Sequence, residues 1–123
     1  MGIVLGEFSI MKYMKRTTTV DNRQLRGVNL GGWLLLEKWM TPSIFAGTGA
    51  IDEYTFMQTE GAAQKIDDHR KSFITEDDFK WLKRNGVNAV RIPIGYWIFD
   101  GDDPYVPAIE HLDWAIAMAI NIV

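Results

Sequence analysis

Apolar and polar positions along this chain follow two different periods. From Leu25 to Leu30, Val28 and Leu30 fall on one side of an extended segment and Asn29 on the other, which predicts a strand. Gly31 to Gly49 keeps neither period. Thr41-Pro42-Ser43 reads there as a turn and Gly47-Thr48-Gly49 as a flexible tip. Asp52 to about Arg70 has helical spacing in two pieces, broken at Gly61 because glycine weakens a helix interior. The next segment carries the clearest local signals. Thr75 fits an N-cap, and Glu76, Asp77 and Asp78 put negative charge on the first turn. Ile74 before the cap and Phe79 after it form a hydrophobic staple, and Gly86 can close the helix behind Lys83 and Arg84. Val87 to Ile94 alternates again as a strand, with Pro93 limiting further ladder bonds. After a loop from Gly95 to Pro107, Ile109, Leu112, Ile116 and Ala119 repeat at helical spacing.

The order is strand, long loop, helices, strand, loop, helix. Two strand–helix units in that order imply an α/β fold with a parallel sheet and helical crossovers. Gly-Val-Asn recurs at residues 27–29 and 86–88, each time at an expected strand start.

Composition narrows the classes. At 123 residues the chain suits one domain or part of a larger one. A net charge of −3 makes no electrostatic case for nucleic acid or for an anionic membrane surface. With no cysteine, disulfides and cysteine-ligated metals are excluded. Ile3-Val4-Leu5 is cut short by Gly6-Glu7, so no convincing export signal is present, and no run approaches the roughly 18 apolar residues of a membrane span. Residues 1–22 are expected to be a poorly ordered leader, and residues 23–123 to hold the strands and helices.

Loops that follow parallel strands gather at one face, where ligands bind. The first such loop offers Trp33, Glu37 and Trp39. The second offers Tyr96, Trp97, Phe99 and Tyr105 with Asp100, Asp102 and Asp103. Flat rings beside carboxylates suit a sugar, whose apolar face stacks and whose hydroxyls need polar partners. The same aromatics also serve as packing residues. Arg91, on the alternate face from Val90 and Ile92, needs a carboxylate partner if it is buried: Glu37 is one choice and a carboxylate outside this chain is the other. A structural ion pair would explain Arg91 equally well. His69 and His111 read as surface residues. Asp100-Gly-Asp102 starts a calcium-loop spacing that fails at His111, so no metal site is expected.

Four blocks in order, RGVNLGGWLLLEKWMTPSIF, DEYTF, FITEDDFKWLKRNGVNAVRIPIGYW and DGDDPY, resemble glycoside hydrolase family five, most closely its exo-β-1,3-glucanase branch. The resemblance covers about Leu25 to Ala119. It implies an eight-fold β/α barrel that cleaves β-glucosidic bonds with retention, using two glutamates about 5–5.5 Å apart. It assigns Arg91 to bracing the nucleophilic glutamate and Glu37 to binding hydroxyls of the terminal sugar. Trp39 and Trp33 would stand beside that sugar and Tyr96 near it. No cofactor is implied; the partner is a β-glucan or oligosaccharide, and the full-length enzyme is expected to be monomeric. Relatives are often secreted, but with no convincing export signal here the resemblance does not assign this chain a location.

The chain departs from that pattern where the chemistry should be. The Asn-Glu-Pro block that carries the acid/base is absent: Asn121 is followed by Ile122 and Val123. The expectation is therefore the first two β/α units of a (β/α)8 TIM barrel, incomplete: an N-terminal fragment that hydrolyses no glucan alone. The alternative is a catalytically inactive sugar-binding module or a pseudogene product.

Overall fold

The structure, a computed structural model, describes residues 2–5 and 24–122. Within them the order is β1 (Gly2–Leu5), β2 (Gly27–Asn29), α1 (Pro42–Phe45), α2 (Glu53–Phe56), α3 (Ala62–Ser72), α4 (Glu76–Arg84), β3 (Ala89–Ile92) and α5 (Ile109–Ile122). The strands form one sheet in the order β1-β3-β2. Both pairings are parallel, Gly2 and Gly27 each lying opposite Ala89. Parallel neighbours need a crossover, and α1 to α4 supply it between β2 and β3.

Two sequence expectations change here. A strand, β1, lies inside the expected leader, while residues 6–23 fall outside the described residues. The two Gly-Val-Asn copies are not equivalent: Gly27 pairs with Ala89, three residues beyond Gly86, so the second copy precedes its strand. It works as a fastener instead. Asn88 Oδ1 accepts from the Arg26 amide at 2.7 Å, and Arg26 Nε donates to the Gly86 carbonyl at 2.9 Å.

Local chemistry explains most of the helices. Asp52 caps α2 by accepting from the Thr55 amide at 2.8 Å. Gly61 precedes α3 at φ +73°, a conformation glycine adopts without strain. Asp78 Oδ2 reaches back to the Thr75 amide at 2.7 Å at the start of α4, and Gly86 closes it at φ +76°. The Thr41-Pro42-Ser43 turn is in fact the entry to a single helical turn, α1, with proline in its first turn. Proline fits there because its fixed φ is helical and its missing N–H would have had no helical partner.

The main core lies between the sheet and helices α4 and α5. Val90 and Ile92 are fully buried and meet Phe79 and Leu112, also fully buried. Each such side chain contributes about 1.5–3 kcal/mol by leaving water. Arg91, between Val90 and Ile92, is exposed on the opposite face. A second cluster, built on Phe45, Phe56 and Ile66, fills the space under the long loop after β2.

Candidate functional site

Because β2 and β3 are parallel, the loops at residues 30–52 and 93–108 leave the sheet at the same end. The first begins with a forced turn. A Cβ on Gly31 would sit 2.7 Å from Met40 Sδ and 2.8 Å from Asn29 Nδ2, and Gly32 has φ +68°. No other residue enters that turn without displacing a neighbour or straining the backbone.

The turn delivers Glu37. Its carbonyl accepts from the Met40 and Thr41 amides at 2.9 and 3.0 Å, which fixes its backbone. Its carboxylate accepts from the Trp39 indole at 3.1 Å and from the Gly32 amide at 3.4 Å. Glu37 is half-buried, and Trp39 is 78% exposed. An acid thus holds the edge of a ring whose faces are open to solvent.

Trp33 is expected at the same place, and the structure corrects this. It is 1% exposed, packs edge-on against Trp114 at 6.1 Å, and donates its indole N–H to the Arg70 carbonyl at 2.8 Å. Its neighbour Leu34 is also fully buried, so this end of the loop belongs to the core. A ring in that position offers no face to a sugar.

Arg91 stands opposite Asn29 in the sheet register and donates to its Oδ1 at 2.9 Å. Among the described residues no ion pair joins Arg91 to Glu37. The guanidinium is exposed rather than enclosed, because a three-stranded sheet does not close over that face.

The second loop is an aromatic cluster. Tyr96 is 63% exposed and its hydroxyl bonds to the Asp102 carboxylate, which raises its pKa. Tyr105 lies between neighbours: Trp97 stacks on it at 5.2 Å, with Tyr54 and Tyr96 at 6.0 and 6.2 Å. Trp97 is 3% exposed, and a Cβ on Gly95 would come within 2.4 Å of its ring. Tyr105 and Asp102 exchange backbone hydrogen bonds of 2.7 and 3.2 Å, which close the acidic turn on itself. Among the described residues no group of three His, Asp or Glu side chains could hold a metal.

Three residues beside these loops escaped the sequence reading. Glu53 and Arg70 are each 3% exposed and form an ion pair at 3.5 Å. Burial pushes the Glu53 carboxyl up to about 7, against the pull of the Leu36 amide and of Arg70. His69, read as a surface residue, is half-buried, with Nε2 at 2.7 Å from the Gly32 carbonyl, and burial lowers its pKa. One signal was available. Ala62, Ile66 and Arg70 stand four residues apart, so a guanidinium occupies the apolar stripe of α3.

No protein-family model matches the chain. Individual relatives do. It is 52% identical over 78% of its length to the "Probable glucan 1,3-beta-glucosidase A" of Emericella nidulans. It is 48% identical over 97% of its length to the protein of that name from Aspergillus fumigatus. It is 44% identical over 80% of its length to the "Glucan 1,3-beta-glucosidase" of Blumeria graminis. The chain spans 26%, 31% and 26% of those three proteins. Its fold superposes on a rutinosidase from Aspergillus niger with a TM-score of 0.67 at 27% identity, covering 80% of this chain and 30% of that one. It superposes on a second solved structure, AoRut, with a TM-score of 0.69 at 25% identity, covering 81% and 30%. The chain is thus related by sequence to glucan 1,3-β-glucosidases over a quarter to a third of their length, and by fold to glycosidases.

Proposed function

We propose that this chain is part of a retaining glycoside hydrolase acting on β-1,3-glucan, and that its own contribution is to hold the sugar. The parallel strands and their crossover helices are read as β/α units of an eight-fold barrel, with Glu37, Trp39 and Tyr96 on the rim where substrate enters. The carrying observation is the bond from Trp39 Nε1 to Glu37 Oε2 at 3.1 Å, in a ring 78% exposed. A carboxylate has about four lone-pair sites. The indole and the Gly32 amide occupy part of them, leaving acceptor capacity for sugar hydroxyls while the indole face takes the pyranose. Arg91 is assigned to bracing a nucleophilic glutamate supplied by residues other than these 123. Relationship to proteins named glucan 1,3-β-glucosidases supports the β-1,3 linkage.

Calorimetric titration with laminaritetraose, a β-1,3-linked glucose tetramer, tests the reading. The wild-type chain is expected to bind saturably and to release no glucose. Trp39→Ala and Glu37→Gln are expected to weaken binding about tenfold or more, the loss of a stacking surface or of a charge-assisted hydrogen bond. A wild-type chain that fails to bind, or a Trp39→Ala variant that binds equally well, removes the proposal.

A further inference from the structure

Helices α2 and α3 present none of the rim residues assigned to sugar, yet both rim loops are tied to them. On one side Glu53 Oε2 accepts from the Leu36 amide at 2.8 Å, one residue before Glu37. The same loop is held by the Arg70 carbonyl, at 2.8 Å from the Trp33 indole, and by His69 Nε2, at 2.7 Å from the Gly32 carbonyl. On the other side the Arg70 guanidinium donates to the carbonyls of Pro107 and Val106 at 3.0 and 3.3 Å and lies 5.5 Å from the centre of the Trp97 ring. The two ends meet in the Glu53–Arg70 ion pair.

A buried ion pair is weak evidence for stability, because apolar residues of similar volume often do as well or better. What apolar residues cannot do is bond backbone groups. Residues 30–41 and 93–107 lie outside the helices and named strands, and the Leu36 amide and the Val106 and Pro107 carbonyls bond to side chains of α2 and α3 instead of to a ladder. Glu53 supplies an acceptor to one loop and Arg70 two donors to the other, and each charge holds its partner in place.

We propose that Glu53 and Arg70 are positioning residues that set the two rim loops against one common anchor. Glu53 aims Glu37 and Trp39 through the Leu36 backbone. Arg70 fixes the stretch from Trp97 to Pro107, which carries Asp102 and, through it, the Tyr96 hydroxyl. The consequence for affinity rests on the sugar-binding reading above; the consequence for loop geometry does not.

The experiment pairs amide hydrogen exchange on the full chain with laminaritetraose titration. The double variant Glu53→Leu/Arg70→Met removes both charges and keeps the volume. It is expected to stay folded with an unfolding midpoint below wild type, because the Leu36 amide and the Val106 and Pro107 carbonyls lose their partners. Its Leu36 amide is expected to exchange about tenfold faster or more, and its sugar affinity to fall about tenfold, from loss of a charge-assisted bond. Glu53→Gln keeps an acceptor for Leu36 and is expected to stay within about threefold of wild-type affinity, a neutral acceptor replacing a charged one. A folded double variant with a protected Leu36 amide, or with wild-type affinity, overturns the proposal.

Should the double variant fail to fold, Arg70→Lys decides. Its single ammonium cannot span two carbonyls as the guanidinium fork does. Faster exchange at the Ala108 amide with Leu36 still protected supports the anchor, and unchanged exchange at both refutes it. A wild-type chain that binds no sugar ends the functional reading, while the exchange results still judge the anchor.

Discussion

The loops after β2 and β3 emerge side by side from one sheet and are held in place by different physics. The first is fastened from outside. Its amide at Leu36, its carbonyl at Gly32 and its indole at Trp33 all end on α2 or α3. The second takes the Arg70 guanidinium at its far end and for the rest fastens itself, by the Trp97–Tyr105 stack, the Asp102–Tyr105 bridge and the Ala108 amide on the Ile98 carbonyl at 3.0 Å. Polar anchoring leaves Glu37 partly free and Trp39 open, while aromatic packing consumes Trp97 and half of Tyr105. A loop held by side chains of other elements keeps its own side chains for a ligand. A loop that packs on itself has fewer left to offer.

The largest expected effect separates the two regions. Trp97→Ala should cost about 3–5 kcal/mol in denaturant unfolding and speed exchange at Ala108 more than at Leu36. Equal loosening of both loops would erase the distinction. Arg70→Met removes the guanidinium that serves both loops and leaves Glu53 buried alone. It should cost about 3 kcal/mol, the lower end for a broken buried pair because Glu53 can protonate, and should loosen both loops together.

A comparable effect comes from pH. The folded-state pKa of Glu53, about 7, lies above its ordinary value of 4.5. The unfolded chain therefore releases the proton first. Stability from this group is full below pH 4.5 and is lost as pH rises through 7, by an amount on the order of 3 kcal/mol. The half-buried His69 acts in the opposite sense, since its lowered pKa costs stability as pH falls below its ordinary value of 6.5. Unfolding of wild type and Glu53→Gln across pH 4.5 to 8 should converge at the acid end and diverge at the neutral end, wild type being the less stable. Parallel curves would show that Glu53 does not titrate this way. The smallest change in stability belongs to Trp39→Ala. At 78% exposure it should shift unfolding by less than about 0.5 kcal/mol, while exerting its full effect on sugar binding.

Much of the frame was legible in the sequence. The cap at Thr75, the staple from Ile74 to Phe79 and the stop at Gly86 are signals within a few residues of one another, and α4 ends close to where they place it. The alternation around Arg91 likewise marked which neighbours would be buried. The turn at Gly31-Gly32 was marked by its glycines. The α1 turn was missed because one helical turn is too short to show a period, and β1 because four residues in a leader carry no pattern of their own.

What the sequence by itself determined, then, is whatever residues decide with near neighbours: caps, periods, breaks, and the delivery of Glu37 and Trp39 after a strand. Tertiary structure alone decided between Trp33 and Trp39, two identical side chains flanking one acid. Trp33 is buried because Arg70 and Trp114, far along the chain, close over it, and Trp39 is open because no distant residue among those described does. It also decided that Glu53 and Arg70 meet. Burial and charge pairing depend on which segments pack together, and that is fixed by the whole sheet and its helices rather than by any local run of residues.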